Sequence, residues 1–114
     1  MKRFHSIKKN KDFQIVYREG KSYANKLLIM YVKKTENEQT RIGISASKKV
    51  GNSVVRHRMA RLVREVFRLN ESILDTGLDI VVVVRPAAKE EYFKTMESAF
   101  LHLCGLHNIK KESK

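Results

Sequence analysis

Arg41-Ile42-Gly43-Ile44-Ser45-Ala46-Ser47 and, six residues further on, Val54-Val55-Arg56-His57-Arg58-Met59-Ala60-Arg61-Leu62-Val63-Arg64-Glu65-Val66-Phe67-Arg68-Leu69 are the runs from which the fold is read. In the first, Ile42, Ile44 and Ala46 alternate with Arg41, Gly43, Ser45 and Ser47. Period two marks a half-buried strand. In the second, Val55, Met59, Leu62, Val66 and Leu69 step by four, three, four and three, and Val63 and Phe67 widen the stripe. That spacing predicts a helix, about residues 54–69, with one face in a core. Between the runs lies the basic loop Lys48-Lys49-Val50-Gly51-Asn52-Ser53, where Asn52 or Ser53 can cap the helix by accepting from a first-turn N–H.

Outward from this pair, the remaining elements follow. Leu27 to Lys33 is apolar and β-prone and reads as a strand, joined by the polar turn Thr35–Thr40 to the strand at Arg41 as a hairpin. Ile80 to Val84 is a β-branched run, as expected of a central strand buried on both faces, and Pro86 ends it. Asn10 is a candidate N-cap for a helix over 11–19, with Phe13, Val16 and Tyr17 on one face and Gly20 as its stop. Lys89 to Leu106 reads as a last helix, with Phe93, Met96, Phe100 and Leu103 in a stripe. A further short strand fits near Ser22–Ala24, and Lys2–Lys9 is an arm or edge segment. The result is an α+β protein: a two-layer α/β sandwich on a small mixed sheet, in the order α-β-β-(β)-α-β-α. A single domain over 1–109 is followed by a disordered basic tail over 110–114.

Charge points to a partner. The chain has 114 residues, with 24 Lys and Arg against 12 Asp and Glu, a formal net charge of +12. Residues 1–26 carry +6 and residues 41–68 carry +7, while 27–40 are neutral and 69–114 carry −1. Two segments hold the excess, the footprint of a polyanion. On the helix, His57, Arg61, Arg64 and Arg68 form a row about 16 Å long at ~1.5 Å per residue, opposite the apolar stripe. Arg56 and Arg58 flank it, Arg58 near Glu65. The row itself contains no acid, whereas helices that need only solvation interleave Glu. Guanidinium forks bond phosphates bidentately and stack on bases, so folded RNA is the favoured partner. Lys48 and Lys49 extend the patch toward the helix N-terminus, itself an anion site. A DNA-reading helix would present uncharged polar base-reading side chains beside its arginines; His57 alone is of that kind.

The residues also resemble a known family. Arg56 through Arg68 is similar to the arginine-rich signature of the bacterial ribonuclease P protein component, and Arg41 through Val54 resembles the segment that leads into it. Ile7-Lys8-Lys9-Asn10-Lys11-Asp12-Phe13, Gly20-Lys21-Ser22-Tyr23-Ala24-Asn25 and Asp79 through Pro86 resemble further blocks in the same order. The resemblance implies a left-handed βαβ crossover through the arginine helix, against the usual rule. It implies a protein that binds a large catalytic RNA, which with Mg²⁺ cleaves precursor tRNA to form its mature 5′ end. Lys48, Lys49, Asn52, Arg56, His57, Arg58, Arg61, Arg64 and Arg68 are then the catalytic-RNA contacts. Phe13, Tyr17 and Tyr31 are the contacts to the single-stranded 5′ leader, since stacking suits a single strand. His57 departs from the family's usual Asn, and Ala60 from its frequent Lys. The alternative is a structural RNA-binding protein of the ribosome.

Other chemistry finds little footing. Cys104 stands alone, without a disulfide partner or a zinc set, which fits a reducing compartment. His5, His57, His102 and His107 are scattered, and no carboxylate cluster suggests a two-metal nuclease. No catalytic or metal-binding protein residue is therefore assigned; Mg²⁺ is expected mainly on the RNA. The start of the chain has no long apolar run, and the longest, Ile80–Val84, is far below the ~20 residues of a membrane span. A cytoplasmic protein is expected, with no membrane and no obligate protein partner.

Overall fold

The computed structural model describes residues 5–111. Its elements are β1 (His5–Ser6), α1 (Asn10–Glu19), β2 (Lys21–Ala24), β3 (Leu28–Lys34), β4 (Arg41–Ala46), α2 (Ser53–Asn70), β5 (Leu78–Val84) and α3 (Phe93–His107), with 3₁₀ turns at Glu71–Ile73 and Pro86–Ala88. The strands form one mixed sheet in the order β1-β4-β5-β3-β2. The α+β class and the mixed sheet agree with the sequence reading. The arm over Lys2–Lys9 is described from His5, where it pairs in parallel with β4 as an edge strand.

One expected pairing does not form. β3 and β4 are not a hairpin, because β5 lies between them, antiparallel to β3 and parallel to β4. The reason is burial: Ile80, Val81, Val82 and Val84 are sealed on both faces, and such a run belongs in the middle of a sheet. The 35–40 connection is held to the turn before β5 instead. Thr35 N–H donates to Gly77 O at 2.8 Å, and buried Thr40 donates its hydroxyl to Asp75 O at 2.9 Å. The hairpin that does form is β2–β3, closed by Asn25, whose Oδ1 accepts from Leu27 and Leu28 N–H.

Helices cover both faces of the sheet, so α1 adds a thin third layer to the expected two. Even-numbered residues of β4 and β5 join α2 and α3 in the main core, where Phe67 and Phe100 meet edge-to-face at 6.4 Å. Val81, Ile7 and Val16 of α1 form a second, smaller core on the other side. The crossover β4–α2–β5 links adjacent parallel strands. Ile42 turns its side chain to the α2 layer, and its C=O accepts from Ile7 N–H at 2.8 Å, on the β1 side. For an L-residue seen with its strand rising and its side chain toward the viewer, the C=O points right. With α2 in front, β1 is thus right of β4 and β5 is left of it, which makes the crossover left-handed.

Several boundaries shift for local reasons. Asn10 is the first helical residue of α1 and not its cap; Lys9 holds that position without a side-chain bond. Gly20 ends α1, but with extended backbone; a Cβ there would lie 2.6 Å from Val16 O and 3.0 Å from Val32 O, so close approach is what requires glycine. Asn52 caps α2, accepting from Val55 N–H at 3.0 Å. Leu69 is 53% exposed, not in the stripe, because the packing of α3 turns the buried face toward Met59, Val63, Val66 and Phe67. α3 starts at Phe93 and not at Lys89. The Lys89 carbonyl is taken by the Arg58 guanidinium at 2.6 Å, and the Thr95 hydroxyl accepts from Tyr92 N–H to start the helix there. At the other end of the chain Lys110 pairs with Leu74 in an isolated bridge, and residues 112–114 of the expected tail lie outside the described residues.

Candidate nucleic-acid interface

Two candidate surfaces lie on opposite faces of the sheet. The first is the outer face of α2. Its apolar stripe is held down by the core, and the 3.6-residue period then forces the arginines outward. His57, Arg58, Arg61, Arg64 and Arg68 are exposed, as are Lys48, Lys49 and Asn52 ahead of the helix; Arg56 is half-buried. His57 sits on a ridge. On one side Arg56, Ala60 and Arg64 line a groove of about 260 Å³ with Ile44, Ala46 and Ser53; on the other lie Arg58, Arg61 and Leu62.

The row is shorter than the helical wheel suggests. Arg68 is paired with Glu65 one turn back, through both Nε and Nη2. That hydrogen bond holds the Glu65 carboxyl below its ordinary pKa and raises Arg68 above its own. Arg58 is spent in part on the Lys89 carbonyl. Arg61 and Arg64 make no hydrogen bond or ion pair among the described residues. Arg56, which lines the groove, has its Nε buried without a partner. Asn52 spends its carbonyl oxygen on the cap and keeps its amide N–H groups. The free donors therefore cluster in the first two thirds of α2, around Arg56, His57, Arg61 and Arg64.

The second surface is the open side of the sheet beside α1. Phe13, Tyr17 and Tyr31 come together there, although eighteen positions separate the first from the last in sequence. Phe13 and Tyr17 have ring centroids 6.3 Å apart, and Tyr17 meets Tyr31 edge-on at 4.9 Å. All three are half-buried over Ile7, Val16 and Val81, with Val83 alongside. They are thus both the roof of the small core and an accessible aromatic strip.

One residue counted with the basic patch does other work. Arg41 is clamped to Asp79, opposite it in register, by bonds of 2.9 and 2.7 Å, and its Nη1 lies 3.6 Å from Asp12. Asp79 in an otherwise apolar strand was the available signal, since a buried carboxylate requires a partner. Cys104 is buried, and its thiol is pushed up to about 12 by that burial, which leaves it unreactive.

A family model described as Ribonuclease P matches residues 1–107. The chain belongs to the ribonuclease P protein family. A Ribonuclease P protein component from Lachnoclostridium phytofermentans is 54% identical over 108 residues, covering 95% of this chain and 93% of that one. Its counterpart from Alkaliphilus metalliredigens is 54% identical, covering 87% and 89%. Among solved structures, the RNase P protein of Staphylococcus aureus superposes with TM-score 0.86 at 34% identity, covering 95% and 99%, and that of Thermotoga maritima with 0.80 at 30%, covering 87% and 94%. As a ribonuclease P protein, the chain is a subunit of the endoribonuclease that processes tRNA, and these relatives give the ribosomal alternative no support. No described helix is long and apolar enough to cross a membrane.

Proposed function

We propose that this ribonuclease P subunit binds the catalytic RNA through the outer face of α2 and the 5′ leader of precursor tRNA along Phe13, Tyr17 and Tyr31. The carrying observation is the placement of the two surfaces. Arginines without internal partners occupy one face of the sheet, and an accessible aromatic strip occupies the other. One rigid sheet can thus hold two RNA segments at a set separation. Arg56, His57, Arg61 and Arg64 supply the densest contacts to the catalytic RNA, with Lys48, Lys49, Asn52 and Arg58 at the rim and Arg68 as a weaker contributor. Phosphate contacts position the protein, and the aromatics stack on unpaired bases.

The chemistry is assigned to the RNA subunit. Among the described residues no three His, Cys, Asp or Glu side chains converge as a metal-ligand set. The Mg²⁺ needed for cleavage is placed mainly on the RNA as part of the same proposal, with the protein's positive charge lowering the Mg²⁺ concentration at which the complex works. The setting is the cytoplasm, where precursor tRNA is made. The test is reconstitution with a bacterial ribonuclease P RNA at low Mg²⁺. The protein should lower the Mg²⁺ requirement for precursor tRNA cleavage and tighten substrate binding. If it does neither, the proposal is wrong.

A further inference from the structure

We infer that Arg41 and Gly43 are positioning residues for the aromatic strip: they fix where α1 lies on the sheet and so set the spacing of Phe13, Tyr17 and Tyr31. The inference rests on the leader-binding reading above. Both residues belong to β4 and, two apart, share the face that α1 covers. Arg41 acts as a three-way clamp. Two of its nitrogens hold both carboxylate oxygens of Asp79, across the β4–β5 register, which fixes the plane of the guanidinium. Its third nitrogen then faces Asp12, in the first turn of α1 and next to Phe13 in sequence. The side chains of Arg41 and Asp12 are 29% and 24% exposed and that of Asp79 is 9%, so water screens this network less than an open surface pair. A lysine keeps the charge but cannot grip one carboxylate with two nitrogens while reaching another.

Gly43 acts by absence. A Cβ there would lie 2.8 and 2.9 Å from Phe13 Cζ and Cε1 and 3.1 Å from Ile7 Cβ. The Phe13 ring therefore rests directly on the backbone of β4, with Ile7 behind it. A methyl group would lift the ring, and the lift would pass along the helix to Tyr17 and its edge-on contact with Tyr31. Neither residue is a candidate RNA contact itself: Gly43 is buried, and the donors of Arg41 point at carboxylates.

The experiment uses the holoenzyme assembled from the full chain and a ribonuclease P RNA. Dissociation constants are measured for precursor tRNA with its leader, for leaderless tRNA, and for the RNA subunit. Arg41→Lys and Gly43→Ala should each weaken leader-bearing substrate by about threefold to tenfold, part of what one stacked base contributes. Leaderless tRNA and RNA-subunit affinity should change little. Phe13→Leu, with a smaller side chain, should remove the collision, so Gly43→Ala should add no further loss of leader binding in that background; an additive pair refutes the Gly43 assignment. Equal losses for leader-bearing and leaderless tRNA would assign both residues to general stability and overturn the inference. Tyr17→Ala and Tyr31→Ala are the reference. If they shift the leader ratio while Arg41→Lys and Gly43→Ala do not, positioning is wrong and leader binding stands. If they leave it unchanged, the leader reading falls and the inference with it.

Discussion

The arginine face of α2 and the aromatic strip beside α1 sit on one sheet but are built by opposite means. The arginine face is a property of one continuous helix: bury Met59, Val63, Val66 and Phe67, and the arginines have nowhere to go but out. The aromatic strip is a property of the tertiary fold, assembled from two residues of α1 and one of β3 over a floor of Ile7, Val16 and the β5 residue Val81. The first surface therefore tolerates replacement of single side chains with local effects. The second depends on neighbours that never touch a ligand. The difference also separates the two in energetic kind. One surface works by charge and should respond to salt; the other works by stacking and should respond mainly to geometry.

The largest expected effect is on the charged side. Arg61→Ala with Arg64→Ala should weaken catalytic-RNA binding by about 3 kcal/mol, at ~1.5 kcal/mol for each charge-assisted bond. The slope of log affinity against log salt should fall by roughly 2, one counterion for each lost phosphate contact. A slope equal to that of the unmodified protein would take both residues out of the interface. On the aromatic side, Tyr17→Ala should weaken leader-bearing precursor by ~1–3 kcal/mol, the range for one stacked base. Its salt slope should stay unchanged. Matching losses for leaderless tRNA would reduce Tyr17 to a packing residue.

Smaller effects sharpen the contrast. Asn52→Ala removes the cap of α2 and should lower unfolding stability by about 1 kcal/mol in denaturant titration. Because the same residue borders the basic face, its effect on RNA affinity at saturating stability shows whether the amide N–H groups are used. Arg68→Ala should reduce RNA affinity less than Arg61→Ala or Arg64→Ala, since Arg68 is held by Glu65. Glu65→Gln should release it and strengthen binding. If Arg68→Ala is the most damaging of the three, the pair must open on binding and the row runs the full length of the helix.

The smallest effect lies away from both surfaces. His107 meets Met30 O through Nε2 at 2.9 Å and packs edge-on against Tyr23. Burial holds its pKa below the ordinary 6.5, the backbone bond opposing and Lys21 adding to the shift. The unfolded chain then binds the proton more readily than the folded one. Stability should fall as pH drops below about 6.5, and the loss should level off below the folded pKa. His107→Gln should flatten that part of the melting-temperature profile. An unchanged profile would place the acid sensitivity elsewhere.

How much could be read in advance follows the same division. The strand at Arg41–Ala46 and the helix α2 announce themselves by a local period and β5 by its unbroken β-branched run, and each lies within one or two residues of the bounds the sequence predicts. A β3–β4 hairpin is expected from the sequence because a short polar turn suggests adjacency, while strand order is decided by which strand most needs burial on both sides. The sequence places the start of α3 four residues too early because apolar spacing cannot show that Arg58 claims the Lys89 carbonyl. The pairing of Arg68 with Glu65 was visible as an i,i+3 spacing but was outweighed by the regularity of the row. Arg41 looks like surface charge in the sequence because its partners, Asp79 and Asp12, are distant along the chain.

By itself, then, the sequence determined what each segment is: its period, the Asn52 cap of α2, its excess charge, and through five collinear blocks its resemblance to a family. These are local or compositional properties, and a single chain segment expresses them without its neighbours. Only the tertiary structure decided the order of strands, the placing of α1 on the face opposite α2, the left hand of the crossover and the meeting of Phe13, Tyr17 and Tyr31. Those outcomes depend on the competition of all apolar surfaces for one sheet, and no segment carries the result of that competition in its own residues.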